Sequence, residues 1–82
     1  MNRVKLLFFA TLRDRAGTKS IELDIPPELT VRGLKEKISS EYPNLKASMS
    51  SVLITINREY AFDEAVIPQN AELAMFPPVS GG

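Results

Sequence analysis

The residues here whose types and spacing suit chemistry belong to the main chain: Phe-Pro-Pro-Val-Ser-Gly-Gly, Phe76 to Gly82. Pro77 and Pro78 fix φ and remove two backbone donors, so the chain leaving a preceding strand cannot extend a sheet and projects as a stiff segment. From Pro77 to Gly82 such a segment reaches about 20 Å, enough to enter a pocket on another protein. Val79 and Ser80 are spacer. Gly81 and Gly82 lack a Cβ, pass a narrow channel, and leave a terminal carbonyl open to attack from either side. The chemistry to expect is acyl chemistry at Gly82. An inert end of small residues is the alternative, since terminal residues gain few contacts to offset lost freedom.

Side-chain chemistry is sparse. The 82 residues contain no Cys and no His. Without thiol or imidazole there is no ordinary nucleophile-and-base pair and no good transition-metal site. Ten basic residues balance ten acidic ones and are scattered along the chain. That distribution argues against nucleic acid as a partner. The apolar run Leu6 to Leu12, broken by Thr11, is too short to span a bilayer, so no membrane role and a cytoplasmic, soluble protein are expected. Glu59, Asp63 and Glu64 could in principle bind a hard cation, but no glycine-centred ligand loop accompanies them and solvated loop charge is the expectation. Arg13 and Arg15 beside Asp14 read as a solvated turn or, secondarily, as a dock for an acidic surface.

The elements that must carry the tail follow from period. Val4 to Ala10 is a strand, apolar on both sides: Val4, Leu6 and Phe8 on one, Leu7 and Phe9 with Lys5 on the other. "RDRAGTK" is read as a turn at Gly17, and "SIELDIP" as the returning strand of a hairpin. Val31, Leu34, Ile38 and Tyr42 recur at helical spacing between Thr30, an N-cap, and Pro43, a stop. Gly33 weakens that helix by up to about 1 kcal/mol. "NLKASMSS" is read as a loop, "VLITIN" as a buried strand, "REYAF" as a short return after a turn near Asn57, and "AELAMF" as the last strand. The order is ββαββ-like: one α+β domain over residues 1–76, a mixed sheet with one helix on one face, and a functional tail over 77–82. One helix covers one face only. Leu7, Phe9, Tyr60 and Phe76 are therefore candidates for an apolar patch on the other face, near the tail's exit.

"FPPVSGG", "LLFFATLRDRAG", "LTVRGLKEKISSEYP" and "ITINREYAF" together resemble the sulfur-carrier subunits of molybdopterin synthase, a ubiquitin-like family, over nearly the whole chain. The resemblance implies a β-grasp fold whose last glycine, Gly82, is the functional group. An ATP-dependent enzyme adenylates its carboxylate, a separate sulfur donor converts it to a thiocarboxylate, and the large synthase subunit takes the tail so that sulfur passes to a pterin precursor. It further implies that Phe9, Tyr60 and Phe76 form the patch gripped by both partners, that this chain binds no cofactor or metal of its own, and that the synthase pairs two small with two large subunits. A carboxylate with a pKa near ~3.5 is an anion at neutral pH and resists attack, so activation must come from outside. Two departures are local: "PQNAE" replaces a more usual glycine turn, leaving Asn70 to take any left-handed conformation, and Gly33 stands where a better helix former is expected. Other readings are a protein modifier conjugated through the same glycine, a carrier for another pathway such as thiazole synthesis, and a non-covalent interaction module.

Overall fold

The computed structural model describes residues 2–78. The elements run β1 (Asn2–Phe8), α1 (Thr11–Ala16), β2 (Ser20–Ile25), α2 (Val31–Glu41), a 3-10 helix (Pro43–Ser48), β3 (Leu53–Ile56), β4 (Glu59–Ala61) and β5 (Glu72–Phe76). The five strands form one sheet in the order β2-β1-β5-β3-β4. β1 pairs antiparallel with β2 and parallel with β5, while β3 pairs antiparallel with both β4 and β5.

The core forms where the two periodicities meet. Val4, Leu6 and Phe8 of β1, Leu23 and Ile25 of β2, Ile54 of β3, and Leu73 and Met75 of β5 are buried with Val31, Leu34 and Ile38 of α2. Burying each large aliphatic side chain of this set contributes roughly 1.5–3 kcal/mol. Thr30 caps α2 as its sequence promised, its hydroxyl accepting from the Gly33 N–H at 3.2 Å. The loop after β4 completes the cap: Val31 N–H donates to Ala65 C=O at 2.9 Å and Arg32 N–H to Asp63 C=O at 3.0 Å. Two of the orphan donors of the helix start are thus satisfied by backbone. A Cβ on Gly33 would meet the end of the Leu29 side chain, which lies over the first turn and would have to shift to make room.

Three expectations need correction. "RDRAGTK" is not only a turn: Thr11–Ala16 is a short helix ending in a left-handed Gly17 cap, whose N–H donates to Arg13 C=O at 3.0 Å. Its single buried residue, Leu12, gives too little periodicity to announce a helix. "NLKASMSS" is not an open loop either, because Pro43–Ser48 coil into the 3-10 helix that buries Leu45, with Met49 buried just after. The first strand sits two residues earlier than expected. Ala10, at φ 53° and ψ −129°, turns the chain out of β1 as the first central residue of a type II′ turn, closed by Leu12 N–H to Phe9 C=O at 3.1 Å.

The β3–β4 hairpin turns at Asn57 and Arg58, with φ of 49° and 73°. Two successive left-handed residues are what a type I′ turn requires. Asn57 is secured from both directions, donating its N–H to Glu72 C=O at 2.8 Å and accepting from Glu72 N–H through Oδ1 at 2.9 Å. Arg58 has no such compensation; its guanidinium lies 3.9 Å from Glu72 and is 90% exposed. A left-handed residue with a Cβ costs roughly 1–2 kcal/mol, part of which glycine returns as unfolded-state entropy. Arg58→Gly is therefore expected to raise stability by about 0.5–1 kcal/mol. Chemical denaturation checks this, and a lowered midpoint would mean the turn is unstrained.

Candidate functional site

The site lies on the sheet face that α2 leaves uncovered, and strand register builds it. Leu7 stands beside Ala74, Ala74 beside Thr55, and Thr55 beside Tyr60, one row across β1, β5, β3 and β4. One step toward the tail is a second row. Phe9, just past β1, stacks on Phe76 with ring centroids 4.5 Å apart and planes 12° from parallel. Phe76 pairs with Leu53, and the β3–β4 register continued by one position sets Phe62 beside Leu53. Aromatic pairing of this kind adds about 0.5–1.5 kcal/mol beyond burial, so the Phe9–Phe76 stack holds a half-exposed surface in one arrangement.

Phe9, Tyr60 and Phe76 thus meet, as read from the sequence, lining one depression with Leu7, Thr55 and Ala74. Tyr60 is 76% exposed and Phe9 39%. The other half of the face is ionic. Arg3 reaches Glu22 and Asp24 of β2, each at 3.3 Å, which holds its guanidinium above its ordinary pKa, chiefly through the hydrogen bond to Glu22. The face is divided, charged at the β2 edge and apolar toward the tail.

Pro77 is half-buried and Pro78 exposed, both lining a groove with Thr11, Arg15, Ser48 and Ser51. Arg15 donates to Ser48 Oγ at 3.0 Å across it, tying α1 to the 3-10 helix beside the tail's root. The rest of the predicted tail, Val79, Ser80, Gly81 and Gly82, lies outside the described residues. Among the acidic residues singled out earlier, Asp63 pairs with Lys35 at 2.7 Å and Glu64 with Arg32 at 3.0 Å, so both serve the start of α2. Asn70 takes the left-handed conformation, φ 58°, and its N–H donates to the buried Asn2 Oδ1 at 3.0 Å.

Leu53, Thr55, Ala74 and Phe62 were not singled out from sequence. For Phe62 a signal existed: in "REYAF" it stands two residues after Tyr60, hence on the same side of an extended strand. Thr55 and Ala74 carry no such mark, because small side chains join a patch only through their neighbours across the sheet.

Residues 6–82 match the ThiS family. The chain belongs to that family. Among similar proteins, the molybdopterin synthase sulfur carrier subunit of Dictyostelium discoideum is 37% identical over 84 residues, covering 99% of this chain and 98% of its own. SAMP1 of Haloferax volcanii, a small archaeal modifier protein, superposes with a TM-score of 0.86 at 26% identity, covering 99% of this chain and 100% of its own. A ubiquitin from Caldiarchaeum subterraneum superposes at 0.66 with 15% identity, over 99% of this chain and 98% of its own, and so shares the fold. This ThiS-family chain therefore has the ubiquitin-like β-grasp, as its sequence resemblance implied.

The Lys35–Asp63 pair makes the site's margin pH-sensitive. The hydrogen bond from Lys35 holds the Asp63 carboxyl below its ordinary value of 3.8, against a smaller opposing effect of burial. A depressed folded-state value means the pair stabilises the fold fully above that ordinary value and loses its effect as pH falls past it. Because Asp63 is 41% exposed, screening limits the contribution to about 0.5 kcal/mol. Wild type should exceed Asp63→Asn in stability by that amount near neutrality, and the gap should close in acid; a gap independent of pH would assign the difference to packing.

Proposed function

We propose that this chain is the sulfur carrier of a molybdopterin synthase, with the carboxylate of Gly82 as its working group. An activating enzyme spends ATP to form the acyl-adenylate, pyrophosphate leaving. Sulfide-level sulfur from a donor system then attacks the carbonyl, forming a carbon–sulfur bond as the carbon–oxygen bond to AMP breaks and AMP leaves with that oxygen and the bond's electron pair. The resulting thiocarboxylate is an anionic, polarisable nucleophile for an electrophilic carbon of the pterin precursor; the large subunit's pocket shields it from water and stabilises developing charge. The chain contributes a handle and a tether, works in the cytoplasm, and needs no cofactor of its own.

The observation that carries this reading is the position of the apolar face. Its Phe9–Phe76 stack sits immediately before Pro77, so a protein covering the face is already at the root of the segment that ends in Gly82. The sulfur-carrier name of the Dictyostelium relative supports the same assignment. Such a two-part grip, body and tail, fixes the acyl group in a partner's active site by binding energy remote from the reacting atoms.

Deleting Gly82 should lower dithiolene formation by at least about a hundredfold, since even a 1 Å misplacement of a reacting group costs that much. The melting temperature should stay unchanged. Intact-mass spectrometry of the loaded wild type should show one oxygen exchanged for sulfur at the terminus. Full activity without Gly82 would remove the carrier reading. The likeness to SAMP1 favours one second reading, conjugation of Gly82 to lysines. Branched peptides in place of the sulfur exchange would select it.

A further inference from the structure

The grip just proposed is argued from the Phe9–Phe76 stack and gives no particular role to Leu53 and Phe62, which continue the same row. Phe62 is 85% exposed, the most open of the large apolar side chains among the described residues. A single exposed phenylalanine needs no explanation, but one that continues an apolar row does. Tyr60, Ala61 and Phe62 border a cleft at the β4 edge that reaches Leu53 on the open face and the core residues Val52 and Ile54 beneath, with Glu64 and the Lys35–Asp63 pair at its rim. β4 is the last strand in the sheet order, so no further strand of this sheet blocks the approach.

Two observations indicate what fills the cleft. The row is continuous with Phe76, through Leu53, and Phe76 is bonded to Pro77. A protein that takes the chain beyond Pro77 must approach this row at Phe76, and the same surface leads it to β4. The charges at the rim are also already matched, Asp63 by Lys35 and Glu64 by Arg32, leaving the apolar walls as the binding surface. An apolar group is selected over an ionic one, because a charge entering there would lose hydration without gaining a free counter-ion.

We infer that the protein receiving the C-terminal tail also inserts an apolar side chain, of leucine, methionine or aromatic size, between Tyr60 and Phe62, making Phe62 a recognition residue at the sheet edge. The inference rests on the carrier reading, since it takes the large synthase subunit as the partner. Tyr60 then serves both depressions, one wall toward Phe9 and Phe76, the other toward Phe62.

Calorimetric titration of the full-length chain with its purified large subunit tests this, with circular dichroism melts for each variant. Phe62→Ser is expected to weaken binding about tenfold or more with an unchanged melt, whereas Phe62→Leu, which keeps an apolar group, retains most of the affinity. Phe9→Ser is the control for the body of the patch. If Phe9→Ser weakens binding and Phe62→Ser does not, the cleft is overturned and the carrier reading stands. If neither weakens it, the carrier reading's partner surface fails as well. If the free chain instead dimerises on gel filtration and Phe62→Ser abolishes that dimer, a second copy is the occupant and the inference is wrong.

Discussion

The arrangement depends on the pairing of β5 with both β1 and β3. The last strand of the described fold lies in the middle of the sheet, hydrogen-bonded along both edges, and parallel to the first. A chain end is ordinarily the part of a domain that frays first, since few contacts restrain it. Here Leu73 and Met75 are fully buried on one side of β5 while Ala74 and Phe76 face the other. Detaching the strand would expose both faces and break two ladders together. The segment that begins at Pro77 thus follows directly from a strand paired on both edges.

That placement also explains why one face remains apolar and uncovered. With a single long helix, the sheet can bury one side only, and α2 takes the side of Val4, Leu6 and Phe8. The far side is managed by division. Toward β2 it carries Arg3, Glu22 and Asp24, whose exposed pairs contribute little stability but keep an edge strand polar. Toward β4 it carries the two apolar rows, and there the Phe9–Phe76 stack limits how much of each ring meets water. The result is a surface that is apolar and lies next to Pro77.

The loop from Phe62 to Ile67 joins the start of α2 to the cleft beside Phe62. Its carbonyls cap α2, its Asp63 and Glu64 pair with Lys35 and Arg32, and Thr30 and Val66 form an isolated bridge beside Ile67 N–H to Leu29 C=O at 2.9 Å. The residues that hold the helix start thus also set one wall of the cleft beside Phe62. Gly33 belongs to the same arrangement, with the end of the Leu29 side chain lying against it.

Period and punctuation in the sequence determined the existence and type of β1, β2, α2, β3, β4 and β5, the Thr30 cap, the turn at Asn57 and the left-handed Asn70, because each follows from local sterics and hydrogen bonding within a few residues. Alternation likewise separated the two faces of β1 and named Leu7 and Phe9 as candidates for the uncovered one. The helicity of Thr11–Ala16 and Pro43–Ser48 was not legible, since in each a single buried leucine, Leu12 or Leu45, holds the segment by contacts distant in sequence. Nor was strand order. Only the tertiary structure decided that β5 enters between β1 and β3, which brings Phe9, Phe76, Leu53 and Phe62 into one row, because neighbours across a sheet are fixed by which ladders close and not by any spacing along the chain.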